Sequence, residues 1–398
     1  MTSRTAKWLA ADVPVIAAAH FEAEADRYGP DNPGGYVNLG TAENRLVWDL
    51  LAPRLRLQPR EHDIHYGPLY GTPELRTAIA KLLSPVWHAI DPEDLVVVSG
   101  ATAALDILAS TLCDPGEAIV VPAPYYAAFD TDLTGRSGAR LVPVAMSPAS
   151  GFALDPPAID RALAAARRDG VTVRALAVTS PSNPVGQVYD AALLRDLVNV
   201  ATAHSVDVIA DEIYAHSAFG AQFVSMVGER AVHGVWGFAK DFGLSGLKVG
   251  VLHTRDPQVR AAARALAYFA PVSTHTQALV TNLIDDAGWS AEFLAENRRR
   301  LRASATRTMD LLAAGGIGYV EPAGGFALWI DLRAHLPEAS TAGEHALWQR
   351  ILRSGRVNIL PGTAFACPEP GWFRLCHATA ASIVATGVAR LIRVLETS

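Results

Sequence analysis

Ala175-Leu-Ala-Val-Thr-Ser-Pro-Ser-Asn-Pro-Val-Gly186 opens as an unbroken apolar run and stops at a polar turn rich in Ser, Pro and Asn. The run 175–179 does not alternate apolar with polar residues, which suits a strand covered on both faces, as in a parallel sheet lying between helices. Working outward, comparable runs recur at 95–98, 118–121, 141–144, 206–210, 232–237 and 248–253. Between them lie segments such as 101–112, 157–168 and 191–204, whose apolar residues recur at three and four and which carry Asp or Pro near their starts. The alternation predicts an α/β fold whose large domain holds a mainly parallel seven-stranded sheet. After about residue 290 the texture changes to a long charged helix (291–314), a strand (326–331), a helix (344–354), a short run (357–360), a strand (372–377) and a last helix. That reads as a smaller α+β domain. The expected division is an N-terminal arm at 1–39 packed on the small domain, a large domain at 40–289 and a small domain at 290–398, with a cleft between the two.

Half of the 398 residues are apolar and 19% are charged, so the chain can bury a large core. Acidic residues number 40 against 34 basic, a net charge of -6 with no run of one sign. This removes the electrostatic case for a nucleic-acid partner and leaves a small molecule as the expected substrate. No stretch reaches the roughly 20 uninterrupted apolar residues of a membrane span. Cys113, Cys367 and Cys376 are scattered, without the spacing of a metal centre or a disulfide framework, which points to a reducing, cytoplasmic setting and no metal. Near the N-terminus, Arg4 and Lys7 precede a partly apolar stretch, 8–19, that Asp12 and Pro14 interrupt; a mature helix or arm is expected there rather than a cleaved leader.

Three polar positions follow predicted strands: Asn183 in the turn quoted above, Asp211 in Asp211-Glu-Ile-Tyr214, and Lys240 in Gly237-Phe-Ala-Lys-Asp241. Open α/β sheets bind ligands beyond the carboxyl ends of their strands, so the three are expected to meet in one crevice. Singly, each has an ordinary reading: a solvated lysine, a helix-capping aspartate, an asparagine in a turn before proline. In order they are distinctive. NPxG, then DExY, then Lys with a cation eight residues on resembles the fold-type I pyridoxal-phosphate (PLP) aminotransferases. The chain is similar, more narrowly, to 1-aminocyclopropane-1-carboxylate (ACC) synthases. That similarity is carried by Gly40-Thr-Ala-Glu-Asn-Arg-Leu46, Gly71-Thr-Pro-Glu-Leu-Arg76, Asp114-Pro-Gly-Glu117, Val121-Pro-Ala-Pro-Tyr-Tyr126, Lys240-Asp-Phe-Gly-Leu-Ser-Gly246 and Glu369-Pro-Gly-Trp-Phe-Arg-Leu-Cys376, in family order over nearly the whole chain.

The resemblance implies the PLP-transferase fold type I and pyridoxal 5'-phosphate held as a Schiff base on Lys240, whose amine then moves protons at the substrate Cα. Asp211 would keep the pyridine nitrogen protonated, and Asn183 and Tyr214 would donate to the ring's phenolic oxygen. Gly100, Ala101 and Thr102, where a strand gives way to a helix, would hold the phosphate on free backbone amides and the helix dipole, with Lys248 beside them. Tyr126, or else Tyr125, would stack on the ring; core packing is the plain alternative. Tyr66 would reach the phosphate of a neighbouring subunit, implying a homodimer with shared active sites, or else be a buried structural tyrosine. Arg374 would grip the substrate α-carboxylate with a bidentate fork, and Asn183 would also contact the substrate. Ala42 and Glu43 fall at the entrance, Glu43 facing a cationic group of the substrate.

Departures accompany the likeness. The serines usual just before the lysine are Gly237 and Ala239, and the usual arginine is Lys248. Looser PLP binding is expected, with Thr102, Lys248 and Tyr66 carrying more of the phosphate. Residues Ala17-Ala-Ala-His-Phe21 stand where an aromatic-rich segment with a tyrosine is usual, which bears on recognition of S-adenosylmethionine (SAM). The leading expectation is an ACC-synthase-like γ-elimination or γ-replacement on SAM with release of methylthioadenosine. The runner-up is a true aminotransferase yielding a 2-oxo acid, which a second cation for a distal carboxylate, Arg45 or His65, would favour. A PLP-binding regulator or a degenerate scaffold is a third reading. Lys240, Asp211 and Arg374 argue against it, as do the roughly 38 residues before Gly40, too few for a DNA-binding helix-turn-helix.

Overall fold

The computed structural model describes residues 2–11, 15–56 and 58–397; Asp12 and Pro14, expected to interrupt the N-terminal stretch, lie outside the described residues. The strands are β1 (Val37–Asn38), β2 (Leu95–Val98), β3 (Ala118–Ala123), β4 (Arg140–Ala145), β5 (Val173–Thr179), β6 (Asp207–Asp211), β7 (Val232–Gly237), β8 (Gly250–His253), β9 (Gly318–Val320), β10 (Ala327–Asp331), β11 (Val357–Asn358), β12 (Leu360–Pro361) and β13 (Trp372–Cys376). Seven form one sheet in the order β2-β8-β7-β6-β5-β3-β4. Neighbours from β4 through β7 pair in parallel, while β8 runs antiparallel to both β7 and β2. The central strands are buried on both faces, as their unbroken apolar runs demand; the edge strand β4 alone keeps several exposed positions.

Helices cover both faces. Ala101–Leu112 matches its expected bounds, and Pro156–Arg168 and Ala191–Ala203 differ by one residue. Their starts are fixed chemically: the Asp155 carboxylate accepts from the Ala158 amide and Asp190 from those of Ala192 and Leu193, satisfying amides that a helix cannot satisfy itself. The chain lays β3 and β4 toward one edge, then returns to place β5, β6 and β7 on the other side of β3. The crevice where the winding reverses, outside the carboxyl ends of β3 and β5, is where such sheets bind ligands.

The remaining chain builds on a four-stranded antiparallel sheet, β12-β13-β10-β9, and the parallel pair β1-β11. The run expected at 357–360 splits. Val357 and Asn358 pair with Val37 and Asn38, whereas Leu360 and Pro361 pair with Arg374 and Phe373. The N-terminal segment supplies the first of those partners: Ala19, Ala23, Val37 and Leu39 share one apolar cluster with Leu328, Phe373 and Val388. The helix expected at 291–314 begins earlier, spanning Ala287–Ala314 behind an Asp286 cap, so the division expected at residue 290 falls within it. Phe293 and Leu294 belong to the core beneath the seven-stranded sheet and Leu312 to the core of the second region. Aromatic packing joins the two as well, with Trp372 set edge-on to Phe152 at 5.0 Å. Among the described residues no helix is long and apolar enough to cross a membrane.

Candidate active site

A cavity of about 190 Å³ opens at that crevice, lined by Gly100, Ala101, Thr102, Leu105, Tyr126, Asp132, Asn183, Asp211, Ile213, Tyr214, Ala239, Lys240, Ser245 and Lys248. Each polar group arrives from the carboxyl end of a strand. Tyr126 follows β3, Asn183 follows β5, Asp211 ends β6, and Lys240 lies in the short helix Phe238–Asp241 behind β7. Tyr125 does not share the cavity. It points into the core, where its hydroxyl donates to Asp130 Oδ1 at 2.8 Å.

At the inner end Asp211 is buried and accepts two weak hydrogen bonds, from the Thr179 hydroxyl at 3.2 Å and the Ile213 amide at 3.3 Å. Burial pushes its carboxyl up to about 7, which those two donors do not offset. Such a carboxyl calls for a cation. The Lys240 amine donates to the Ala42 carbonyl at 2.5 Å. Burial, and then the positive charge of Arg374, lowers it to about 8. Arg374, 4% exposed, donates through Nη1 to Asn183 Oδ1 at 3.0 Å and through Nη2 to the Gly40 carbonyl at 2.5 Å, while its Nε is buried without a partner among the described residues. Because Asn183 Oδ1 accepts from Arg374, its Nδ2 is the side left to donate elsewhere. Tyr214 is buried and packs edge-on to Phe326 at 5.1 Å.

The other end of the cavity is built differently. Gly100 (φ +90°) turns β2 into the helix Ala101–Leu112, and β8 passes so close that a Cβ on Gly250 would meet the Gly100 carbonyl carbon at 2.2 Å. Only glycine fits. The first amides of the helix, those of Ala101 and Thr102, have no acceptor among the described residues, the arrangement that attracts anions. Lys248 stands nearby: a Cβ on Gly100 would lie 3.8 Å from its Nζ. At Gly237 the missing hydroxyl has no room, since a Cβ there would come 2.8 Å from the Val249 carbonyl oxygen.

Several expected groups lie outside the cavity. Ala42 touches it only through the bond from Lys240. Glu43 does not present an unpartnered carboxylate: Oε1 accepts from Ser245 Oγ at 2.6 Å and Oε2 from Arg45 Nε at 2.8 Å. Burial acts to raise the Glu43 carboxyl, but Ser245 and Arg45 outweigh it and hold it below its ordinary value. Arg45 is thereby engaged, and Glu24 also lies 3.8 Å from it. His65 is exposed away from the site, and Tyr66 is fully exposed rather than a buried structural tyrosine.

Sequence reasoning passed over Asp132, whose Oδ2 accepts from Thr102 Oγ1 at 3.2 Å, and Ser245. It also passed over a buried relay: Asn44 Nδ2 donates to Asn297 Oδ1 at 2.8 Å, and Asn297 Nδ2 to the Asp241 carbonyl at 2.9 Å. The Asp241 carboxylate, next to Lys240, accepts from Ser217 Oγ, Trp236 Nε1 and the His216 amide at 2.6, 2.8 and 3.0 Å. Asn44 was visible inside a quoted motif. Asn297 had one signal, a neutral polar residue amid the arginines of a charged helix.

A family profile described as aminotransferase class I and II matches residues 37–391. 1-Aminocyclopropane-1-carboxylate synthase 2 of Oryza sativa subsp. japonica is 37% identical over 373 residues, spanning 87% of this chain and 77% of that protein. 1-Aminocyclopropane-1-carboxylate synthase 6 of Arabidopsis thaliana is 35% identical, spanning 87% and 75%. Among solved structures, an aspartate aminotransferase from Thermus thermophilus with maleate superposes with a TM-score of 0.84 at 26% identity, covering 99% of each chain.

Proposed function

Because this chain belongs to the class I and II aminotransferase family, PLP-dependent enzymes of fold type I, we propose that it removes the Cα proton of an amino acid and expels its γ-substituent, with SAM as substrate and methylthioadenosine as a product. The meeting, in one cavity, of Lys240, Asp211, Asn183 and Tyr214, with Arg374 tied to Asn183, supports removal of the Cα proton, and the observation that carries the γ-elimination reading is the likeness, over 87% of this chain, to 1-aminocyclopropane-1-carboxylate synthases. The groups fit the cofactor: a buried carboxylate without a cation, an amide with its donor side free, and unpaired helix amides with a lysine at the opposite end.

Bound there, PLP supplies an aldehyde that condenses with amines and a cationic ring that accepts the electron pair left at Cα. Asp211 would keep a proton on the ring nitrogen, a contact that would bring the carboxylate back to its charged form. Asn183 and Tyr214 would donate toward the ring's phenolic oxygen, and Tyr126 would pack against the ring. The Ala101 and Thr102 amides and Lys248 would hold the phosphate. Lys240 would tether the cofactor; in the empty chain burial and Arg374 hold its amine below its ordinary value, at about 8, and once displaced it would be the group that takes the Cα proton. Arg374 exchanges the Gly40 carbonyl for the substrate carboxylate, and Glu43 and Ala42 frame the entrance. The exposed Ile64 and Tyr66, in a segment tied to the residues after exposed Tyr268 and Phe269 by the Thr274-to-Asp63 hydrogen bond at 2.6 Å, support a homodimer in which Tyr66 serves the neighbouring site. Three free cysteines support a cytoplasmic setting.

Transamination uses the same residues, and the whole-chain likeness to aspartate aminotransferases favours it as the second reading. Incubating PLP-loaded protein with SAM and following methylthioadenosine and the four-carbon fragment by mass spectrometry separates the two. Methylthioadenosine release above the uncatalysed rate that disappears in Lys240→Ala establishes enzymatic departure of the γ-substituent, and the fragment mass tells cyclisation from capture or hydrolysis. A 2-oxo acid formed from other amino acids, with no release from SAM, overturns it.

A further inference from the structure

Among the residues lining the cavity, Asp132 is a carboxylate that the proposed chemistry leaves unused. It closes the short helix Phe129–Asp132 behind Tyr126, is half-buried, and receives a single hydrogen bond, from Thr102 Oγ1 at 3.2 Å. The groups facing it are few. Thr102 and Asp106 come from the helix Ala101–Leu112, Asp106 being paired with Arg136 at 3.0 Å; Lys248 precedes β8; Tyr126 lies on its own segment; and Asp211 ends β6. Lys248 acts on it through space without closing an ion pair. Burial pushes the Asp132 carboxyl up to about 6, with Thr102 and Lys248 pulling the other way and Asp106 adding to the rise.

The phosphate end thus has a conflict. The hydroxyls usual at 237 and 239 are absent, and Gly237 cannot take one. The Thr102 hydroxyl, a remaining donor, is spent on Asp132. A charged Asp132 would set a second anion beside the phosphate and keep the Thr102 hydroxyl for itself, whereas a carboxylic acid is itself a donor and releases Thr102 for the ligand. We propose that Asp132 completes the phosphate end of the cofactor site as a carboxylic acid, donating a hydrogen bond where hydroxyls are missing, so that PLP is taken up together with a proton. This rests on the reading of the cavity as a PLP site.

Linkage gives the sign. The loaded chain holds more protons than the empty one between about pH 6, where empty Asp132 titrates, and the higher value the phosphate imposes. The contribution of Asp132 to affinity is therefore level below about pH 6 and falls above it by up to about tenfold per pH unit. The test measures dissociation constants of the full chain for PLP, and for pyridoxal lacking the phosphate, from pH 6 to 8.5, in the natural protein and Asp132→Asn. Titration of Lys240 affects both proteins alike and cancels in their ratio. The expected result is equal PLP affinity near pH 6, at least about tenfold tighter binding by Asp132→Asn at pH 8, and no such gap with pyridoxal. Asp132→Ala, which keeps no donor, should bind PLP more weakly than Asp132→Asn throughout, and adding Ala239→Ser should recover part of the loss. A ratio flat with pH, or the same gap with pyridoxal, overturns the inference while leaving the PLP site intact. Failure of the natural protein to bind PLP at all overturns both.

Discussion

The two ends of one cavity are held by different physics. Around Asp211, Asn183, Lys240 and Arg374 the groups are largely buried and fixed by hydrogen bonds to one another, to a neighbouring hydroxyl or to backbone, and burial shifts the pKa of Asp211 and Lys240. Around Thr102 and Lys248 the side chains are exposed, and the anchoring falls to backbone amides and a point charge. Burial strengthens each electrostatic contact and fixes geometry, which proton transfer needs. Holding a phosphate requires only enough donors and positive charge. Absent hydroxyls at the open end therefore leave the geometry of the buried end unchanged.

The largest expected effect is at the buried end. Lys240→Ala should lower turnover by about 10²–10⁴-fold or more, the usual worth of a positioned base, while the chain stays folded by circular dichroism. Arg374→Ala should reduce kcat/KM by about 10–150-fold, corresponding to about 1.5–3 kcal/mol for a charge-assisted contact, with Arg374→Lys falling between. Asn297→Leu strands the Asn44 amide and the Asp241 carbonyl. Urea unfolding should show a loss of about 2–4 kcal/mol, since each unpaired buried group costs about 1–3 kcal/mol. The smallest effect should be at the open end: Ala239→Ser restores one donor and should slow PLP loss on dialysis by a few-fold. A larger effect from Ala239→Ser than from Arg374→Ala would break the comparison.

A pH test sharpens it further. The Asp211 carboxyl is raised above its ordinary 3.8 to about 7 in the cofactor-free chain. Its contribution to stability is thus complete below about pH 4 and is lost as the pH rises through 7. The Tm of the empty protein should fall over that window, and less so in Asp211→Asn; PLP, by supplying a cation, should remove the difference.

The sheet was legible because unbroken runs such as 95–98 and 118–121 have few other uses, and Asp and Pro marked the helix starts. The split at 357–360 was not, because it depends on Val37 and Asn38 arriving from a segment about 320 residues away. Asn183, Asp211, Tyr214 and Lys240 stood out because each follows a strand end in a set order. Asp132 and Asn297 did not, since an isolated acid or amide acquires meaning only from what packs against it: Thr102 in one case, Asn44 and Asp241 in the other. Glu43 stood out by its place in a motif, but its partners, Arg45 and Ser245, did not.

The most direct measurement reduces the PLP-loaded protein with borohydride, digests it and maps the fixed pyridoxyl group by mass spectrometry. The account predicts the label on the peptide bearing Lys240, and none there in Lys240→Ala. A label found chiefly on another lysine, or no label on a protein that retains PLP, would contradict it.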